Sequence, residues 1–149
     1  LGKVAGMDVV EVAGACGTLN TNFAGKAAAA LEVIKDHDFV YIHMEAPDEC
    51  GHQGDKEGKI KSIELIDRLV VGPIYEEMTR RGEPFRMLVT PDHPTPLALR
   101  THVSDPVPFV MYDSEKEVHG CETYNEMNVR TTRVYFGSGV EMFAAFTGK

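Results

Sequence analysis

Tryptophan is absent from these 149 residues, and cysteine occurs only three times, at Cys16, Cys50 and Cys121. An odd number at uneven spacing argues against a disulfide framework and for a reducing, cytoplasmic setting. No window reaches the run of about 18 apolar residues that a membrane helix needs. Basic residues are few: 15 Lys and Arg against 23 Asp and Glu leave a formal charge of −8, with no cationic run. That balance speaks against nucleic-acid and membrane partners, and suits an enzyme that offsets the charge of a small substrate with metal ions. A convincing nucleophile is also missing. Thr18, Thr21 and Ser104 have no evident base beside them and read as turn or cap hydroxyls.

The chain has enough apolar residues, 43%, to bury one core of ordinary size, so residues 1–149 are expected to form part of a single domain. It opens Leu1-Gly2-Lys3-Val4-Ala5-Gly6-Met7, without an initiator methionine and in the manner of a helix already ending. The expectation is a fragment of a longer polypeptide; a processed or tag-cleaved terminus is the other reading.

Apolar patterning predicts an α/β fold. Short buried strands are expected at Asp8–Val12, Phe39–Met44, Phe85–Val89 and Phe109–Tyr112, where β-branched and aromatic residues cluster. Helical spacing covers roughly Phe23 to His37. It resumes from Asp55 with Ile60, Ile63, Ile66, Leu69 and Val70 on one face. Gly72-Pro73 should kink or restart that helix before Ile74 and Met78, and Gly139–Phe146 should close the chain as a helix. Strands joined through helices imply a mainly parallel sheet flanked by helices.

Three short clusters carry the chemistry: Asp48-Glu49-Cys50-Gly51-His52, Asp92-His93 and His102. In parallel sheets functional residues gather beyond the carboxyl ends of strands, which puts the first two clusters on one rim. Asp48 and His52 have the i, i+4 spacing that aligns side chains on a helix, with Gly51 relieving crowding; a helix-capping Asp and a solvated His would look the same. Adjacent side chains such as Asp92 and His93 converge on metal only from an irregular loop, which Pro91, Pro94 and Pro96 supply; a polar turn is the alternative. Two carboxylates and three imidazoles suit a pair of divalent cations. His43 reads as a supporting or a buried residue, and Cys50 as a possible zinc ligand made unnecessary by Asp and His. Glu45 and Asp55 read as orienting or capping residues, and His37, His119 and Asp113 as surface polar groups.

The segment Glu45-Ala46-Pro47-Asp48-Glu49-Cys50-Gly51-His52-Gln53-Gly54-Asp55, then Pro91-Asp92-His93-Pro94-Thr95-Pro96 and Thr101-His102, resembles the cofactor-independent phosphoglycerate mutases. The match is closest to their archaeal-type branch, within the alkaline phosphatase superfamily. Ala5-Gly6-Met7, Gly14-Ala15-Cys16-Gly17 and Asn20-Thr21-Asn22 extend it over nearly the whole chain, although Asn20 stands where an acidic residue is more usual. The resemblance implies an alkaline phosphatase-like, incomplete fold. It implies that Asp48, His52 and His102 hold one metal and Asp92 and His93 the other, with manganese or zinc favoured and magnesium less suited to imidazole.

The implied activity is that of an isomerase of glycolysis, interconverting 3-phosphoglycerate and 2-phosphoglycerate through a phosphoserine. Its nucleophilic serine and inserted substrate-gripping domain belong to an N-terminal part outside this chain. A metal-dependent phosphatase or another phosphotransferase would use the same centre, and some members carry a homoserine kinase label that these motifs do not support. An inactive structural fragment is the third reading.

Overall fold

The structure, a computed structural model, describes residues 2–116 and 118–148. It divides into two compact units. One runs to Glu77 and includes Thr95–Thr101; the other holds Met78–Pro94 and the stretch from His102 onward.

The first unit is mostly helical. Leu1 lies outside the described residues. Just after it, Gly6 N–H bonds the Lys3 carbonyl at 3.2 Å and Met7 N–H the Gly2 carbonyl at 3.0 Å, with Gly6 at φ 77°. Paired bonds of this kind around a left-handed glycine make a tight turn. Helix α1 (Phe23–Val33) is capped by Asn22, whose side chain accepts from Gly25 N–H. It is shorter than expected, because Ile34 to Asp36 continue as a turn. Helix α2 (Ala46–Gln53) has a proline in its first turn, Asp48 and Glu49 near its positive end and His52 in its last turn, and Gly54 ends it at φ 70°. Helix α3 (Lys56–Ile66) begins on the side chain of Asp55, which accepts from Gly58 N–H.

Between α3 and α4 (Gly72–Arg81) lies a π turn, Asp67–Val71, in which Gly72 N–H reaches back to the Asp67 carbonyl. Pro73 cannot donate into a regular helix, and its ring crowds the carbonyl four residues earlier; the wider turn accommodates it. The buried face of α3 also differs from the expected one. Ile60 and Ile63, expected inside, are about half exposed, whereas Leu65, Ile66 and Leu69 pack on a core of Phe23, Ala27, Ala46 and Val70.

In the second unit β1 (Arg86–Val89) pairs with β2 (Val110–Asp113), followed by α5 (Glu126–Val129), a 3₁₀ turn (Arg130–Thr132) and α6 (Gly139–Thr147). The ladder is antiparallel, with Arg86 opposite Asp113 and Val89 opposite Val110. Helices with a small sheet agree with the α/β, incomplete class. The parallel arrangement expected of the four strands is not what the described residues form, and the reason lies in the connection. A parallel return needs a crossover, usually a helix. Residues 90–109 hold Pro91, Pro94, Pro96, Pro106 and Pro108 and no helix.

Residues 8–12 and 39–44 have no ladder partner among the described residues. The second of these still alternates as a strand does: Val40, Ile42 and Met44 are half-buried, and Phe39, Tyr41 and His43 exposed. Val9, Val10, Phe39 and Tyr41 are each exposed.

Candidate metal centre

The spacing of Asp48 and His52 produces the expected neighbours, one turn apart on α2. Asp48 Oδ2 and His52 Nε2 are 3.3 Å apart, and both side chains are about one-third exposed at 27% and 36%. The remaining heteroatoms meet the loop 95–101 of the same unit. Thr95 Oγ1 donates to Asp48 Oδ1, and His52 Nδ1 donates to the Arg100 carbonyl at 2.9 Å.

That loop is tightly held. The N–H groups of Leu99 and Arg100 both bond the Pro96 carbonyl, at 3.0 and 2.8 Å, and Arg100 adopts φ 53°. Lys59 Nζ, on α3, donates to the Thr95 carbonyl at 2.8 Å. The close approach to α2 depends on Gly51, where a Cβ would stand 2.7 Å from the Thr95 carbonyl oxygen and 2.9 Å from Lys59 Nζ. Neither Thr95 nor Lys59 was singled out from sequence. A buried threonine in a proline-rich loop, facing a glycine on a motif helix, is the only trace they leave there.

In the second unit Asp92 and His93 sit on an irregular loop, as their adjacency requires. His93 Nε2 lies 3.6 Å from Asp92 Oδ2, and His93 N–H bonds Asp92 Oδ1 at 3.2 Å. The rings of His93 and His102 are stacked at a tilt, 3.7 Å between centroids, and Val103 N–H closes the loop onto the Pro94 carbonyl at 3.2 Å. All five candidate ligands therefore lie in two small clusters of carboxylate and imidazole. A mixed set of oxygen and nitrogen donors of this kind fits a divalent transition-metal ion better than calcium, which prefers oxygen alone.

The other candidates resolve individually. Asp55 is a helix cap, and Thr21 is a buried turn residue whose hydroxyl accepts from Cys16 N–H at 3.0 Å. Thr18 accepts from Asn20 N–H and lies 3.3 Å from the Cys16 thiol, which it holds below its ordinary pKa. Glu45 lies on Gly17, where a Cβ would meet its carboxylate. His43 is exposed rather than buried, and its carbonyl accepts from Lys26 Nζ at 2.8 Å. Cys50 is buried, and burial pushes its thiol upward, away from the thiolate that zinc binding requires. His37 remains a surface group, 3.2 Å from Asp8 Oδ2. Asp113 does not: its side chain is only 15% exposed and pairs with Arg86 at 2.9 Å.

Helices with a small incomplete sheet thus carry two Asp–His pairs, a mixed donor set that divalent metal ions take. The chain belongs to the Metalloenzyme superfamily, whose family model matches residues 2–135 and so runs through both units. It is similar to the 2,3-bisphosphoglycerate-independent phosphoglycerate mutases of Methanothrix thermoacetophila, at 50% identity over 86% of this chain and 33% of the relative, and of Methanosarcina mazei, at 47% over 87% and 33%. A probable enzyme of the same name from Geobacter sulfurreducens is 48% identical over 95% of this chain and 36% of its own. Among solved structures, a protein from Pyrococcus horikoshii superposes with a TM-score of 0.77 at 30% identity, covering 87% of this chain and 38% of that one. The chain thus spans about a third of the length of the curated relatives it matches. No helix among the described residues is long and apolar enough to cross a membrane.

Proposed function

We propose that this chain is the metal-binding part of a cytoplasmic, glycolytic phosphoglycerate mutase, one that interconverts 3-phosphoglycerate and 2-phosphoglycerate through a phosphoserine. The Asp48–His52 pair on α2, in a chain of a metalloenzyme superfamily, carries this reading. Relatives of that name at 47–50% identity supply the substrate class.

In this proposal Asp48, His52 and His102 form one ligand group and Asp92 and His93 serve a second ion. The backbone supports the first grouping: His102 follows Thr101 directly, and the Arg100 carbonyl two residues earlier already accepts from His52. Manganese or zinc suits the imidazoles; magnesium would have to rely on the carboxylates. Bound ions would act as Lewis acids on a phosphoryl group and offset the charge that develops in transfer. Two units under one continuous family match are in keeping with parts of a single phosphatase-like domain.

Calorimetric titration of the 149-residue chain with manganese and zinc should show tight binding that Asp48→Ala and His52→Ala each abolish. Unchanged binding in both variants would reject the centre.

A further inference from the structure

We propose that the loop 95–101 is a positioning element: Thr95 Oγ1 and the Arg100 carbonyl orient Asp48 and His52 so that Oδ2 and Nε2 are the atoms offered to a metal ion. The proposal rests on the metal-centre reading above and adds residues to it.

A carboxylate on a helix rotates over a broad range about its last bond, and an imidazole has two chemically distinct nitrogens. A donor set is effective only when something else fixes both choices. For Asp48 the choice is made by Thr95, which is 4% exposed and whose hydroxyl donates to Oδ1. For His52 it is made by a backbone carbonyl. A carbonyl can only accept, so the Nδ1 bonded to Arg100 carries the hydrogen, and in the neutral ring Nε2 holds the lone pair. These are the two atoms that face each other at 3.3 Å. One loop thus selects one atom from each of two donors.

The loop is built to hold that position. Lys59 Nζ pins the Thr95 carbonyl, and the missing side chain of Gly51 lets the loop seat against α2. Arg100 takes a left-handed conformation rare outside glycine, with its guanidinium over Gly54. A loop that served only to cover α2 would need no hydroxyl at position 95. A methyl group in the same place would pack as well.

The test compares Thr95→Val, which keeps the shape and removes the hydroxyl, with Thr95→Ser, which keeps the hydroxyl. Both are titrated with manganese and with zinc in the 149-residue chain, folding being checked by circular dichroism. Thr95→Val should bind about ten- to a hundredfold more weakly, and Thr95→Ser close to wild type. Binding by folded Thr95→Val equal to wild type, while Asp48→Ala and His52→Ala have lost it, overturns the positioning role and spares the metal centre. Loss of binding by folded Thr95→Ser overturns it as well. Should Thr95→Val fail to fold, nitrogen NMR of histidine-labelled wild type decides. His52 protonated at Nδ1, with Nε2 shifting on zinc addition, supports the proposal; the opposite assignment sinks it.

Discussion

Gly51 shows how far a single residue can be read. Its place one before His52 suggests relief of crowding, and the structure supplies the neighbours: an added Cβ would stand 2.7 Å from the Thr95 carbonyl and 2.9 Å from both Lys59 Nζ and Thr95 Cγ2. The ammonium could swing aside, but the carbonyl cannot move without its loop. Gly51→Ala should therefore cost about 1–3 kcal/mol of stability. Gly120→Ala, where nothing lies within 4 Å, should stay within about 0.5 kcal/mol of wild type. Urea unfolding of the two variants checks this, and equal midpoints would show that the loop yields freely. The pairing of Asp48 with His52 was legible because helix geometry makes it local. Thr95 was not: it reaches Asp48 across 47 residues of sequence, and no periodicity encodes such a contact.

At the scale of elements, helices were easier to read than sheet pairing. Caps and breakers are local, and Asn22, Asp55 and Ser138 each accept the backbone bond that such residues offer. Strand direction instead follows from the connection, and prolines at 91, 94, 96, 106 and 108 outweigh the parallel order that strands alternating with helices suggest. The resulting hairpin has a polar clasp. Arg86 Nε donates to Asp113 across the ladder at 2.9 Å, and its Nη1 to the Phe146 carbonyl near the end of α6 at 3.0 Å. Asp113 is held below its ordinary pKa chiefly by the backbone N–H of Glu115, with Lys116 and Arg86 adding to this and burial opposing it. A pKa lower in the folded than in the unfolded state contributes stability that is present above the unfolded value and lost as pH falls through the folded one. The gap in urea midpoint between wild type and Asp113→Asn should thus be constant above about pH 5 and close below about pH 4. A gap independent of pH would remove the carboxylate from the account.

For the whole molecule, the groups the chain contains decide what chemistry it can complete. Phosphoryl transfer between two hydroxyls of one substrate, by way of the enzyme, needs a side chain to carry the phosphoryl group in between. Of the serines here, Ser62 is fully buried and bonded to the Lys59 carbonyl, Ser138 caps α6, and Ser114 accepts from Phe85 N–H. Ser104 has no evident base in sequence. Arg68, Arg80, Arg81, Arg86, Arg100, Arg130 and Arg133 are scattered along the sequence rather than grouped in one segment. The 149-residue polypeptide should bind metal yet give no turnover of 3-phosphoglycerate in an enolase-coupled assay. Placed in the Methanosarcina mazei enzyme in exchange for the third of that chain it matches at 47% identity, the same segment should support turnover with manganese. In that chimaera His52→Ala should abolish it. Turnover by the isolated chain would mean that it holds a nucleophile of its own. A folded, metal-loaded chimaera without mutase activity that still releases phosphate would instead assign this centre to hydrolysis.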